Sequence, residues 1–231
     1  MNKLQLKSKL QHRITPLLSP KLKGIIKRSF LYSIYEKSAW DWKYPIFVLE
    51  WKIARFLTKS RKVSVDGIAL TIPCENWITH FRWYDFKIKE VEVRNFIKDI
   101  MSDKDIFFDI GANIGVFSVY AAKIHPDAEI YSFEPEYSNL NLLKKNVLEN
   151  KIDHQVNIFS VGLSDEIGFS RLHLSNTEAG AAVHTESREN ISTTDEGYKV
   201  VWKEGIMTIT LDYFCKENNI YPNCIKIDTD G

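Results

Sequence analysis

The sequence predicts an α/β protein: a doubly wound, mostly parallel, Rossmann-like sheet preceded by an N-terminal helical region. Three observations carry this. From Asp105 onward, short apolar runs alternate with stretches of helical period. Those runs are continuously apolar, as strands covered on both faces are. The first of them, "DIFFDI", ends in a glycine turn, Gly111-Ala112-Asn113-Ile114-Gly115, that opens onto a helix.

Composition sets the limits. A chain of 231 residues, 44% hydrophobic and 13% aromatic, holds one sizeable domain with an appendage. Its three cysteines, Cys74, Cys215 and Cys224, form no C-x-x-C pair. That argues against a disulfide framework or a zinc knuckle and for free thiols in a reducing cytoplasm. No charged and then apolar leader opens the chain. The net charge of +1 conceals a split: up to Lys62 there are fifteen Lys/Arg against three acids, and the remainder is correspondingly acidic. We therefore divide the chain into a basic region, 1–62, and a domain, 63–231.

The basic region reads as helical. Leu22, Ile25, Ile26, Phe30 and Ile34 share a helical face, and Tyr44–Leu57 is a second amphipathic stretch with Pro45 in its first turn. Charges interrupt that stretch, and it falls short of the roughly 20 apolar residues a bilayer span needs. Two roles fit: a cap packed through Trp40, Trp42, Trp51 and Phe56, or peripheral contact with an anionic membrane. Nucleic acid is not expected, because no recognised binding motif accompanies the charge.

The domain opens with a hairpin and lead-in helix, 63–104. "VSVDGIALTI" alternates around Asp66-Gly67, a hairpin turn signal. An aromatic segment follows (Trp77, Phe81, Trp83, Tyr84, Phe86), then a helix in "KEVEVRNFIKDI". The core, 105–231, runs strand "DIFFDI", helix "GVFSVYAAKI", strand "AEIYSFEP", helix "EYSNLNLLKKNVLENK" and strand "QVNIFSVGLSD". Two further strands, "GFSRLHLS" and "GIMTITL", flank a polar excursion; a short helix "LDYFCKENN" and a final strand "CIKID" close the pattern.

In such a sheet, ligands sit beyond the carboxyl ends of the strands. Gly111 and Gly115 serve either a plain turn or a ligand that must touch backbone. Glu134, ending the second strand about 20 residues past the glycines, suits ribose hydroxyls. A pyrophosphate fits poorly: Asn113 occupies the middle glycine position of the dinucleotide fingerprint, Phe117 and Ser118 follow where the third glycine belongs, and Asp109 would face the phosphates. A ribose-containing ligand with a cationic end, such as S-adenosylmethionine, fits better.

The ordered segments "FDIGANIGVFSVYAAK", "YSFEPEYSNLNLLKKNVLEN", "VGLSD", "ITLDYF" and "IKIDTDG" resemble the FkbM-type methyltransferases over roughly Lys89 to Gly231. The resemblance implies a class I methyltransferase fold and S-adenosylmethionine-dependent O-methylation of a sugar, glycan or natural product. Carried over residue by residue, Asp109, Gly111, Ala112, Asn113 and Gly115 form the methionine-binding turn and Glu134 the ribose acid. Ser164 and Asp165 stand where such folds contact adenine. Asp228, Asp230 and Gly231 match the family's "IKIDVDG" block, with Thr229 a departure. The family pattern continues beyond that block, so one wall of the acceptor pocket is expected to be missing here, and the chain reads as a fragment or a catalytically incomplete scaffold that keeps donor binding.

Methyl transfer to a hydroxyl needs alignment and a proton acceptor. Asp228 is the candidate base or acceptor-positioning group, Asp230 the second; the alternative is that Asp228 caps a turn. His80, His173 and His184 could face the acceptor but form no metal spacing, so no metal is expected. Residues 176–190 are a substrate loop or a solvated one.

Overall fold

The computed structural model describes residues 48–53, 60–73 and 75–229. The chain divides into two compact units, Met1–Glu50 and Trp51–Gly231, and the second is described here. The helix expected around residues 22–34 lies outside the described residues; within Tyr44–Leu57, residues 48–53 are described and are helical. No described helix is long and apolar enough to cross a membrane.

Strands β1 (Ser60–Val65) and β2 (Ile68–Pro73) form the expected antiparallel hairpin. Asp66 and Gly67 both take positive φ, as a two-residue turn of matching twist requires. The aromatic segment is a helix, α1 (Trp77–Ile88), started by a reciprocal cap: the Asn76 side chain accepts from the Thr79 N–H, and Thr79 Oγ1 accepts from the Asn76 N–H. Helix α2 (Val91–Asp99) leads into β3 (Ile106–Ile110). Then follow α3 (Val116–Ile124), β4 (Glu129–Phe133), α4 (Tyr137–Glu149) and β5 (Val156–Phe159).

After β5 the chain leaves the sheet. Strands β6 (Gly162–Leu163), β7 (Gly168–Leu174), β8 (His184–Ser187) and β9 (Trp202–Ile209) build a second sheet in the order β6-β9-β7-β8. Only β6–β9 is parallel there. Helix α5 (Leu211–Asn218) then returns the chain to β10 (Cys224–Ile227), which completes the parallel sheet β10-β3-β4-β5. The single sheet read from the sequence is thus two. The reason is connection length: parallel neighbours need a crossover, usually a helix, and none separates β7, β8 and β9.

Residue alternation along β3 and β4 covers the centre of the parallel sheet on both faces, while Ile225 and Ile227 of β10 are exposed. Phe107 and Ile130 join Val119, Tyr120, Leu142 and Leu143 of α3 and α4, with Leu70 and Ile72 of the hairpin. Phe108, Tyr131 and Phe133 point the other way, around Phe214 of α5. The Phe214 ring meets Phe159 at 4.8 Å and Phe133 at 4.9 Å, both edge to face. Since β3 has β4 on one side and β10 on the other, the strand order reverses between β3 and β10. The switch point of this sheet lies there.

Candidate functional site

Two clefts meet at the switch point. The first is bordered by the turn after β3 (Gly111, Asn113), by Glu134, and by an apolar wall of Phe133, Val161, Leu163, Leu172 and Ile206. The second lies beyond the turn, against Phe86, Val116, Phe117, Glu90 and Lys226. Arg82, Gly111, Asn113 and Asp228 border both.

The turn is bared chiefly for the chain itself. Gly111 has φ +69, and a Cβ there would stand 2.0 Å from the Asp228 carbonyl oxygen. That close pass lets the Asp228 N–H donate to the Ile110 carbonyl at 3.0 Å and seats β10 beside β3. Gly115 has φ +79, and its Cβ would meet Leu143 Cδ1 at 2.1 Å, so it lets α3 and α4 close on each other. Asn113 takes the left-handed conformation that asparagine tolerates. Its Oδ1 accepts from the Ile114 N–H (2.9 Å), and its Nδ2 donates to the Ala181 carbonyl (2.7 Å), across the mouth of the first cleft. Ala112 is buried and borders the second cleft.

Glu134 is 5% exposed and opens onto the first cleft. Its Oε2 accepts from the Asn113 N–H (2.8 Å); its Oε1 accepts from the Glu136 N–H (2.9 Å) and from Asn139 Nδ2 (3.4 Å). Burial pushes its carboxyl up, these bonds pull it down, and the result is about 7. Oε1 is thus filled by two donors, while Oε2 keeps a lone pair for a further one.

Asp109 lies beneath the turn and borders neither cleft. Fully buried, it accepts from Ser118 Oγ at 2.6 Å and pairs with Lys226 Nζ at 3.0 Å. The cation it faces is therefore the chain's own. Lys226 was not anticipated from the sequence. Its ammonium also donates to the Gly111 carbonyl (3.2 Å), stands 3.6 Å from the Asp228 carboxylate and lies 4.9 Å over the Phe117 ring. One lysine thus ties the turn after β3 to the end of β10. Asp228 is 72% exposed at its side chain and reaches both clefts. Asp230 and Gly231 lie outside the described residues.

Ser164 and Asp165 stand back from both clefts: the Ser164 N–H donates to the Ile209 carbonyl, and its hydroxyl turns to Asp165. Val161, Gly162 and Leu163, just before them, border the first cleft where β6 pairs with β9. The polar excursion is partly a strand, β8, and Ala181, Ala182, His184 and Glu186 border the first cleft. Of the other histidines, His80 is buried on α1 and pushed down to about 4 by burial and by the Arg61 charge. His173 is fully buried on β7, without a hydrogen-bond partner among the described residues. Neither borders a cleft. Among the described residues no group of three His, Cys, Asp or Glu is placed to hold a metal.

Residues 109–231 match the family described as the methyltransferase FkbM domain. The chain is 35% identical over 68 residues to the 31-O-demethyl-FK506 methyltransferase FkbM of Streptomyces tacrolimicus, a match covering 29% of this chain and 25% of that protein. It is 30% identical over 93 residues to the methyltransferase sdnD of Sordaria araneosa, covering 36% of each. The chain thus spans between a quarter and about a third of these relatives. A solved methyltransferase FkbM from Methylobacillus flagellatus superimposes with a TM-score of 0.35 at 15% identity, over 57% of this chain and 27% of that one.

Proposed function

We propose, from the premise that this chain belongs to the methyltransferase FkbM domain family, that it binds S-adenosylmethionine and directs methyl transfer to a hydroxyl of a sugar, glycan or natural product. The observation that carries the proposal is Glu134: a buried carboxylate at the end of the second parallel strand, opening onto a cleft at the switch point. The donor's chemistry matches the residues present. Phe133, Val161, Leu163, Leu172 and Ile206 offer an apolar slot for a purine. Glu134 Oε2 has acceptor capacity left for a ribose hydroxyl. Bound S-adenosylmethionine supplies an electrophilic methyl on a sulfonium.

The chain's own residues then have three tasks. The apolar slot and Glu134 hold and orient the nucleoside, so that alignment lowers the barrier. Asp228, reaching both clefts, accepts the proton from the acceptor hydroxyl or holds that oxygen in line. Lys226 fixes the relation of Asp228 to the turn.

Titration calorimetry of the purified chain with S-adenosylhomocysteine and, separately, NADH tests the donor. We expect homocysteine-analogue binding that Glu134→Ala weakens by at least about tenfold, and none for NADH. Binding of NADH alone would overturn the reading. For the acceptor, transfer of tritiated methyl to saccharide and natural-product alcohols should give a label stable to mild base, as an ether is; base-labile label would point to a carboxylate acceptor.

A further inference from the structure

The first cleft contains a cation that neither the turn nor the acceptor chemistry uses. Arg82, on α1, is the only lysine or arginine bordering that cleft among the described residues, and it borders the second cleft as well. Its Nε donates to the Gly180 carbonyl at 2.7 Å. Gly180 is itself held: its N–H donates to Asn139 Oδ1 at 2.7 Å, and at its φ of +86 a Cβ would stand 3.2 Å from Thr79 Cγ2 and 3.3 Å from Ile78 Cγ2 of α1. The guanidinium plane is thereby fixed at one edge. No partner for its terminal nitrogens stands among the described residues. Of the charges that border the clefts with it, Lys226 is engaged by Asp109 at 3.0 Å, Asp85 by Lys89 at 3.0 Å, Asp228 stands 3.6 Å from Lys226, Glu186 accepts from Ser170 Oγ, and Glu90 is exposed.

The cleft also has a direction. Leu172 and Ile206 border the first cleft alone, Glu134 is bonded to the Asn113 N–H, and Gly111, Asn113 and Arg82 stand on the side shared with the second cleft. The donor has a matching order of base, ribose, sulfur, and an amino acid ending in a carboxylate. We infer that Arg82 is the carboxylate clamp of the donor. Its terminal nitrogens take the α-carboxylate in two parallel N–H···O bonds, the geometry for which a guanidinium is suited and an ammonium is not. Anchored at both ends, by Glu134 and by Arg82, the sulfur is held over the turn and its methyl is presented to the second cleft. This inference rests on the donor reading given above.

The test compares two ligands that differ in the group in question. S-adenosylhomocysteine carries the amino acid; 5′-methylthioadenosine keeps the nucleoside and thioether and lacks it. In Arg82→Gln, homocysteine-analogue affinity should fall by roughly 30- to 100-fold while methylthioadenosine affinity stays within about twofold of wild type. Arg82→Lys should recover only part of the loss, since it replaces a fork with a point charge. Equal loss for both ligands would mean that Arg82 merely supports the 177–183 segment, and no loss for either would put the carboxylate elsewhere; both overturn the inference. If neither ligand binds the wild-type chain, the donor reading itself fails and the inference falls with it.

Discussion

Glu134 carries opposed influences, and they set a pH dependence. Burial raises its carboxyl to about 7, while N–H bonds from Glu136, Asn113 and Asn139 favour the ionised form. Ribose hydroxyls are donors, so their binding favours the carboxylate, and donor affinity should rise with pH through about 7. Fold stability runs the other way. A carboxyl raised on folding contributes stability that is fully present below its ordinary 4.5 and is lost as pH climbs through about 7. We expect S-adenosylhomocysteine to bind about tenfold more weakly at pH 6 than at pH 8, with proton release on binding below neutrality, and Glu134→Gln to flatten the profile. A flat wild-type profile would show that the carboxylate does not meet the ribose. The acid's place at the end of the second strand was legible; the three donors of the chain that it accepts from were not. Lys226 is equally visible: a lone lysine inside "CIKID" and a lone aspartate inside "FFDI" each interrupt an apolar run, and each needs the other. Register pairs them directly, Lys226 opposite Asp109.

Among the elements, the hairpin shows how a peripheral piece is fastened to the core. Asp66 in its turn accepts from Arg94 Nε and from the Tyr120 hydroxyl, both at 2.8 Å. At the other end, Asn150 acts as a strand partner: its Oδ1 accepts from the Thr71 N–H (2.8 Å), and its Nδ2 donates to the Thr71 carbonyl (2.6 Å). Replacing Asn150 with alanine leaves both Thr71 backbone groups without that partner, at a local cost of about 1–3 kcal/mol. Amide exchange at Thr71 should then quicken by roughly tenfold or more while β3 amides hold their protection. Unchanged exchange at Thr71 would mean that the Asp66 network alone secures the hairpin. The hairpin was legible from Asp66-Gly67 because two-residue turns have a strict chemistry. Helix α1 was not read, although Asn76 and Thr79 stand three apart in front of it, since the aromatic run masked its period.

For the whole molecule, the consequential feature is that the first cleft spans two sheets. Ile110 and Phe133 border it from the parallel sheet, Leu172 and Ile206 from the second. A donor seated there should stiffen both: on adding S-adenosylhomocysteine, exchange should slow in β7 and β9 as well as in β3 and β4. Protection confined to β3 and β4 would place the ligand on the parallel sheet alone. The sequence by itself determined the strand–helix alternation, the turn at the switch point and the acid that ends the second strand, because burial period, turn chemistry and the ends of strands are properties of neighbouring residues. Tertiary structure alone decided what the glycines face, which cation Asp109 meets, why Val161–Leu163 rather than Ser164 and Asp165 form a wall, and that Arg82 borders the cleft. Those outcomes depend on which distant residue the register and the second sheet bring opposite, and no local pattern encodes that.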